Sequence, residues 1–276
     1  KKEKLKNFIL KSKVFENYFF MTLLQGFSSL IGIIIYPYLI RKLGGESYGL
    51  YIFSYSNISF FIAFISFGFT FPALKKISLH MNDRDIKENV LSSVFTAKFY
   101  LFIFSAILLG ILIMTIPFLR NNYLVYLVIF SLAISEILFP IWYFQGIQKM
   151  KLVTYIQLST KLLTIPFIFV FIKSPDDLLV YAIIISAFTI LGAIISIIYI
   201  RVSEKIHLHF VPFGSLKILF EDSLPFFWTS TMSTIKKETV TLIIGSFFGM
   251  KDVALYDLAN KIIMIPRLIT MNINDA

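Results

Sequence analysis

Apolar residues fill about eight consecutive stretches of this chain, each near or above the ~20 residues that cross ~30 Å of hydrocarbon at 1.5 Å per residue. The stretches place spans at Val14–Ile40, Tyr48–Leu74, Val90–Phe118, Tyr123–Tyr143, Leu152–Ile172, Leu178–Ile200, Ile218–Phe248 and Val253–Asn272. Apolar side chains go all round each stretch rather than along one face, as on lipid-exposed helices. The expected fold class is therefore all-α, a polytopic transmembrane helix bundle. Turn-forming residues punctuate it at Leu43-Gly44-Gly45, Arg120-Asn121-Asn122, Ser174-Pro175-Asp176-Asp177 and Gly249-Met250-Lys251-Asp252.

Composition narrows the function classes. The chain is 57% hydrophobic and 15% charged, against about 25% charged for a soluble domain. Its net charge of +10 does not point to nucleic acid, because the bases lie between spans rather than on one face of a soluble domain. There are no cysteines, which excludes disulfides, Cys-ligated zinc, Fe–S clusters and thiol chemistry. His80, His207 and His209 lie in loops, and the spacing of the last two is strand-like rather than that of a zinc helix. No metal or cofactor is expected.

The basic head from Lys1 to Lys13 precedes an apolar run too long for a signal-peptide core and without a small-residue cleavage site, so it reads as a retained first span. Placing the N-terminus in the cytoplasm puts most bases inside. These are the lysines of the head, Lys75, Lys76, Arg84, Lys87, Lys149, Lys151, Arg201, Lys205 and Lys217. Only Arg41, Lys42, Arg120, Lys173 and Lys251 fall outside. The bias fits the rule that cytoplasmic loops are positive. Trp142 and Tyr143 at one interface, and Tyr36, Tyr38, Tyr48 and Tyr51 at the other, read as aromatic belts. Residues 202–217 break the apolar pattern. They are expected to be a cytoplasmic linker between a six-helix lobe (14–201) and the start of a second, incomplete lobe (218–276).

Charges inside the spans are the candidate functional groups, since a cation in hydrocarbon is costly and normally faces a protein interior or a wet cavity. Here they are mainly positive: Lys98, Lys161, Lys236, Lys237, Lys261 and Arg267. In span seven Ser230, Thr234, Lys237 and Thr241 share one helical face, and Glu238 follows Lys237. In span eight Asp257 and Lys261 stand four apart and can pair. Two readings compete: ion pairs that tie span seven to span eight, or the wall of a cationic cavity. The bases outnumber the acids, and a buried cation without a partner costs about 2.5–3.5 kcal/mol on insertion scales. An anionic substrate would balance it. Lys98 either snorkels or lines the cavity, Lys161 is assigned to the cavity, and Glu136 is a candidate counter-ion for Lys161 or a coupling carboxylate. Ser28 and Gly32 form a small-xxx-small pattern typical of close helix packing.

Several segments carry a family resemblance. Residues Tyr36-Pro37-Tyr38-Leu39-Ile40-Arg41-Lys42-Leu43-Gly44-Gly45-Glu46-Ser47-Tyr48-Gly49-Leu50-Tyr51 resemble the signature after the first helix of bacterial polysaccharide flippases. Phe67-Gly68-Phe69, Trp142-Tyr143-Phe144-Gln145-Gly146-Ile147-Gln148-Lys149-Met150 and the stretch from Phe248 to Lys261 are similar to later segments of the same family, in the same order. The resemblance implies the multidrug/oligosaccharidyl-lipid/polysaccharide exporter fold, with two six-helix lobes, a central cavity and alternating access. It further implies a transporter, not an enzyme, moving an undecaprenyl-pyrophosphate-linked oligosaccharide for O-antigen-type or capsule synthesis. The implied partners are this lipid-linked substrate, membrane lipids and polysaccharide assembly proteins. Members usually have twelve or more helices against about eight here, so the expectation is either a fragment or a protein with part of the fold missing. Arg41 and Lys261 fall on motif positions. Lys161, Lys236, Lys237 and Arg267 join them as substrate-binding candidates from their place in the spans, with Glu238, Asp257 and Glu136 as counter-ion or coupling candidates.

Alternatives are a multidrug/cation antiporter of the same superfamily, a membrane glycosyltransferase, polymerase or ligase, and a membrane scaffold. The first would be expected to hold acids in its cavity, and here bases predominate. The second needs catalytic carboxylates or a large outer loop, neither of which is visible.

Overall fold

The computed structural model describes the backbone of residues 2–274 and the side chains of residues 16, 19–28, 30–32 and 34–263. The side chains of the basic head, Lys1 to Lys13, and of Arg267 lie outside the described residues.

The first helix, α1 (Lys2–Ser66), contains an apolar segment of 48 residues, Phe19–Ser66. A straight helix of that length would measure ~72 Å, more than twice the hydrocarbon thickness. It does not run straight. Gly44 breaks the helix at φ 75°, ψ 162°, a conformation that a Cβ disfavours. The rings of Tyr36 and Tyr48 come within 6.4 Å, although twelve residues of straight helix would hold them ~18 Å apart. So α1 is a hairpin of two spans with its tip at Gly44.

Phe67 and Gly68, both at positive φ, turn the chain into α2 (Thr70–Leu79). Asp83 caps α3 (Arg84–Thr115) by accepting the Ile86 N–H at 3.1 Å, and this cap starts the helix earlier than the apolar pattern at Val90 suggests. After α4 (Pro117–Asn121), the fourth span is broken into α5 (Tyr123–Phe130), α6 (Leu132–Leu138) and α7 (Ile141–Gly146). Pro140, which has no N–H to continue a helix, separates the last two. The chain continues through α8 (Met150–Phe171), a 3₁₀ turn Pro175–Asp177, α9 (Leu178–Ser203), a second turn Phe213–Leu216, α10 (Lys217–Phe247) and α11 (Met250–Asn274).

The protein is thus an all-α polytopic membrane bundle, with no strand among the described residues. Among the described residues, five stretches are long and apolar enough to cross a membrane: Phe19–Ser66, Arg84–Thr115, Tyr123–Gly146, Met150–Phe171 and Pro175–Ser203. Helices α10 and α11, of 31 and 25 residues, have the length to cross. They fall outside that set because charges interrupt their hydropathy, among them Glu221, Asp222, Lys236, Lys237 and Glu238 in α10 and Lys251, Asp252, Asp257 and Lys261 in α11.

One core cluster joins the α1 hairpin to α5, α8 and α9 around Leu39, Leu43, Tyr126, Ile129 and Ile168. Another joins α2, α3, α7 and α8 around Phe69, Ile77, Val94, Tyr143 and Val153. Gly146 lets α7 lie directly on α2, since a Cβ there would meet Ile77 Cγ2 at 2.6 Å. The aromatic residues expected at the interfaces are largely inside instead. Tyr48, Tyr51, Trp142 and Tyr143 are all buried in protein, because neighbouring helices cover the span ends on which they sit.

The segment after α9 is not a free loop. It runs extended along α3, and alternate main-chain N–H groups bond to one helical stripe. His207 N donates to Glu88 Oε2 at 3.1 Å, His209 N to Ser92 Oγ at 3.3 Å, and Val211 N to Thr96 Oγ1 at 3.1 Å. Two extended residues advance ~6.6 Å and four helical residues ~6 Å, so the two periods stay in step.

Candidate functional site

The α1 hairpin is the meeting point of the site. Gly49 carries no Cβ, and one placed there would overlap the Met250 carbonyl. The first turn of α11 therefore rests on the second limb of α1. That contact aligns Lys261 with two tyrosines of the hairpin. Its ammonium donates to the Tyr48 hydroxyl at 2.7 Å and to Asp257 Oδ2 at 2.5 Å. It also lies 3.5 Å from the centre of the Tyr36 ring. Tyr48 in turn donates to Asp257 Oδ2 at 2.7 Å. The Lys261 and Asp257 side chains are 25% and 18% exposed, so the pair is only partly enclosed. The geometry combines an ion pair, a charge-assisted hydrogen bond and a cation–π contact.

Further along the same interface, Glu238 of α10 is 5% exposed. Its Oε2 accepts from Ser56 Oγ at 2.7 Å, and its Oε1 pairs with Lys237 Nζ at 3.0 Å. Lys236 and Lys237 are expected inside, and the structure leaves both exposed, the Lys237 side chain at 74%. Successive helical residues rotate by about 100°, so with Glu238 turned toward Ser56 of α1, Lys237 lies about 100° and Lys236 about 160° away from that contact. Lys236 has no ion-pair partner among the described residues.

The first six spans hold two separate lysines. Lys98, 2% exposed, does not snorkel; it borders a small cavity lined also by Leu91, Ile137 and Trp142. It donates to Glu136 Oε1 at 2.6 Å and to the Glu136 carbonyl at 2.9 Å. Glu136 is therefore the counter-ion of Lys98 and not of Lys161, a correction that follows from the packing of α3 on α6. Lys161 donates to Ser28 Oγ at 2.7 Å and lines a cavity of about 210 Å³ between α1, α8 and α9. Ser28 and Gly32 thus line a cavity rather than a tight helix contact. Arg41 is exposed near the hairpin tip, with no ion pair among the described residues.

At the opposite end of the bundle, Glu204 gathers Lys149 at 2.5 Å, Lys87 at 3.6 Å and the Tyr143 hydroxyl at 3.4 Å. Burial pushes the Glu204 carboxyl up. The hydrogen bond and charge of Lys149, with Lys87, outweigh that and hold it below the usual carboxylate range. The same hydrogen bond raises Lys149. No group of three or more metal-ligating side chains converges among the described residues.

Sequence reasoning missed Tyr36, Tyr48 and Ser56 as partners of the charged groups. The tyrosines stand in the quoted signature segment, and Ser56 belongs to a polar run, Ser54, Ser56, Asn57, inside an otherwise apolar span.

A family model described as polysaccharide biosynthesis protein matches residues 14–276. The chain belongs to the polysaccharide biosynthesis protein family. The match spans every described residue of the clusters above, from Ser28 to Lys261. This polysaccharide biosynthesis protein is 23% identical over 246 residues to a protein named "Putative O-antigen transporter" from Escherichia coli (strain K12), covering 89% of this chain and 59% of that protein. It is 21% identical over 263 residues to a Shigella dysenteriae protein of the same name, covering 95% of this chain and 65% of that protein. The chain therefore spans less than two thirds of the length of either relative. No solved structure gives a significant match.

Proposed function

We propose that the full-length protein is a transporter, not an enzyme, that carries polysaccharide repeat units across the cytoplasmic membrane as undecaprenyl-pyrophosphate-linked oligosaccharides. The observation that carries this reading is a surplus of cations on the membrane helices. Lys161 and Lys236 have no carboxylate partner among the described residues, and Lys261 is only partly enclosed. An uncompensated cation in a membrane helix costs about 2.5–3.5 kcal/mol, and a pyrophosphate offsets that cost where a cationic drug would add to it. In this reading Lys261, Lys237, Lys236 and Lys161, with Arg41 and Arg267, face the anionic part of the substrate. Glu238 and Asp257 set the resting charge. The names of the two relatives support transport of an O-antigen-type glycan.

The N-terminus is proposed to lie in the cytoplasm, in line with the cluster of Lys87, Lys149, Arg201 and Lys205 at one end of the bundle. Residues 14–201 form the first lobe, 202–217 the linker, and 218–276 the beginning of the second lobe. Alternating access then makes and breaks the contacts of α1 with α10 and α11, including Ser56–Glu238 and Tyr48–Lys261. Other polysaccharide assembly proteins are proposed partners.

The test is complementation of a transporter-deficient strain by the full-length protein carrying Lys161→Met and Lys236→Met. Both lysines lack a carboxylate partner to strand, so membrane levels should stay normal. Surface polysaccharide should be lost while its lipid-linked precursor accumulates. Normal polysaccharide display by the double variant would contradict the assignment.

A further inference from the structure

Three threonines that line the cavity between α1, α8 and α9 use their hydroxyl protons within their own helices. Thr160 gives its hydroxyl proton to the Ile156 or Gln157 carbonyl, at 3.0 and 3.1 Å. Thr164 gives its proton to the Thr160 carbonyl at 2.8 Å, and Thr189 to the Ile185 carbonyl at 2.7 Å. All three line the cavity. Their hydroxyl oxygens keep lone pairs but have no proton left to offer. A Ser or Thr hydroxyl has one donor and two acceptor sites, so the threonines are acceptors only. The charged donor is Lys161, which has three protons, of which one goes to Ser28; the hydroxyls of Ser28, Tyr36 and Tyr181 line the cavity beside it. An acyl chain would leave the Lys161 ammonium unmatched. An organic cation would be repelled by Lys161. A ligand that fits must present several O–H donors together with an oxygen acceptor for the ammonium.

Tyr36 adds the second observation. It lines this cavity, and its ring also carries the Lys261 ammonium at 3.5 Å. The acceptor-lined cavity therefore adjoins the Lys261 cluster across a single aromatic ring.

We infer that this cavity, lined by Thr160, Thr164, Thr189, Lys161 and Ser28, is a pyranose subsite that takes the hydroxyl groups of a sugar next to an anion site at Lys261. The inference rests on the proposed transport of a pyrophosphate-linked glycan, in which the first sugar is attached directly to the phosphate. It divides the recognition surface in two. The threonine oxygens read sugar hydroxyls, and Lys261 with its basic neighbours reads phosphate. The Tyr36 ring forms the wall between them.

The test uses saturation-transfer NMR on detergent-solubilised full-length protein. The probes are the methyl α-pyranosides of glucose, galactose, mannose and N-acetylglucosamine, and inorganic pyrophosphate binding is followed separately by ³¹P line broadening. At least one glycoside should give a saturation-transfer signal that excess pyrophosphate does not abolish. Thr160→Val with Thr164→Val removes two acceptors at nearly constant shape and should weaken glycoside binding at least about fivefold, leaving pyrophosphate binding unchanged. Thr164→Ser, which keeps the oxygen, should retain glycoside binding. The subsite is overturned if no glycoside in the panel binds, or if the double valine variant binds it as well as the wild type. If pyrophosphate still binds in either case, the transport reading stands without the subsite. If glycosides bind as expected and pyrophosphate does not, the subsite stands and the phosphate assignment falls.

Discussion

Lys261 and Tyr48 lie 213 residues apart in sequence, and their side chains meet, with the ammonium donating to the phenol oxygen at 2.7 Å. The phenol in turn donates a hydrogen bond to Asp257, so one neutral hydroxyl bridges a cation and a carboxylate. The bridge ties the second limb of the α1 hairpin to α11. Tyr48→Phe should lower stability by about 1.5–3 kcal/mol, the worth of hydrogen bonds to charged groups. Asp257→Asn should cost more, about 3–5 kcal/mol, because it strands a partly buried cation. Adding Lys261→Met to Asp257→Asn should recover most of that loss. Thermal unfolding in detergent measures all three, and a double variant as unstable as Asp257→Asn would show that the pair carries no coupling.

Close approach of backbones makes a second contrast between two glycines. Gly49 faces the Met250 carbonyl, and no side-chain movement can relieve a Cβ there. Gly110, inside α3, has nothing within 4 Å of a Cβ position. Gly49→Ala should destabilise by about 1–3 kcal/mol through overpacking. Gly110→Ala should stabilise by about 0.5–1 kcal/mol through helix propensity. Melting temperatures that shift in the same direction would contradict this packing.

The span pattern was legible in the sequence because lipid contact demands long runs of apolar side chains, and such runs need no tertiary knowledge to recognise. The hairpin tip was legible from Leu43-Gly44-Gly45 for a similar local reason. Partner choice was not. Glu136 lies 38 residues from Lys98, and periodicity places each on a face without saying which faces meet. Tyr48 and Tyr143 look like interface residues because they sit at span ends, yet other helices cover those ends. Lys237 and Glu238 are sequence neighbours about 100° apart on the helix, so their opposite fates depend on which one α1 covers. The extended strap after α9 was also hidden, since its match to Glu88, Ser92 and Thr96 appears only when strand and helix periods are compared.

Acid should loosen the end of the bundle around Glu204. Its folded pKa lies below the unfolded value of about 4.3, so its contribution is present above that pH and is lost as pH falls through the folded pKa. Lys149 has the opposite sign: its raised pKa gives a contribution present below the unfolded value of about 10.4 and lost as pH rises through the folded one. Glu204→Gln should flatten stability against pH at both ends. A wild-type acid limb that the substitution leaves unchanged would show that other carboxylates govern it.

The strap along α3 offers a labelling experiment, because the chain has no cysteine of its own. Val211→Cys loses no strap bond, since the Thr96 hydroxyl accepts from the main chain at that position. Adding Ser92→Ala and Thr96→Val removes two of the three anchors, and thiol labelling at residue 211 should then quicken severalfold. Equal rates with and without the anchors would mean that these hydrogen bonds do not hold the strap.

Transport itself is tested most directly with full-length protein in liposomes containing an undecaprenyl-pyrophosphate-linked oligosaccharide, following the fraction of glycan accessible from outside over time. The account predicts that wild-type protein equilibrates the glycan between leaflets, and that Lys161→Met with Lys236→Met abolishes this while the protein remains folded and inserted. Equal glycan movement in the wild type, the double variant and protein-free liposomes would contradict it.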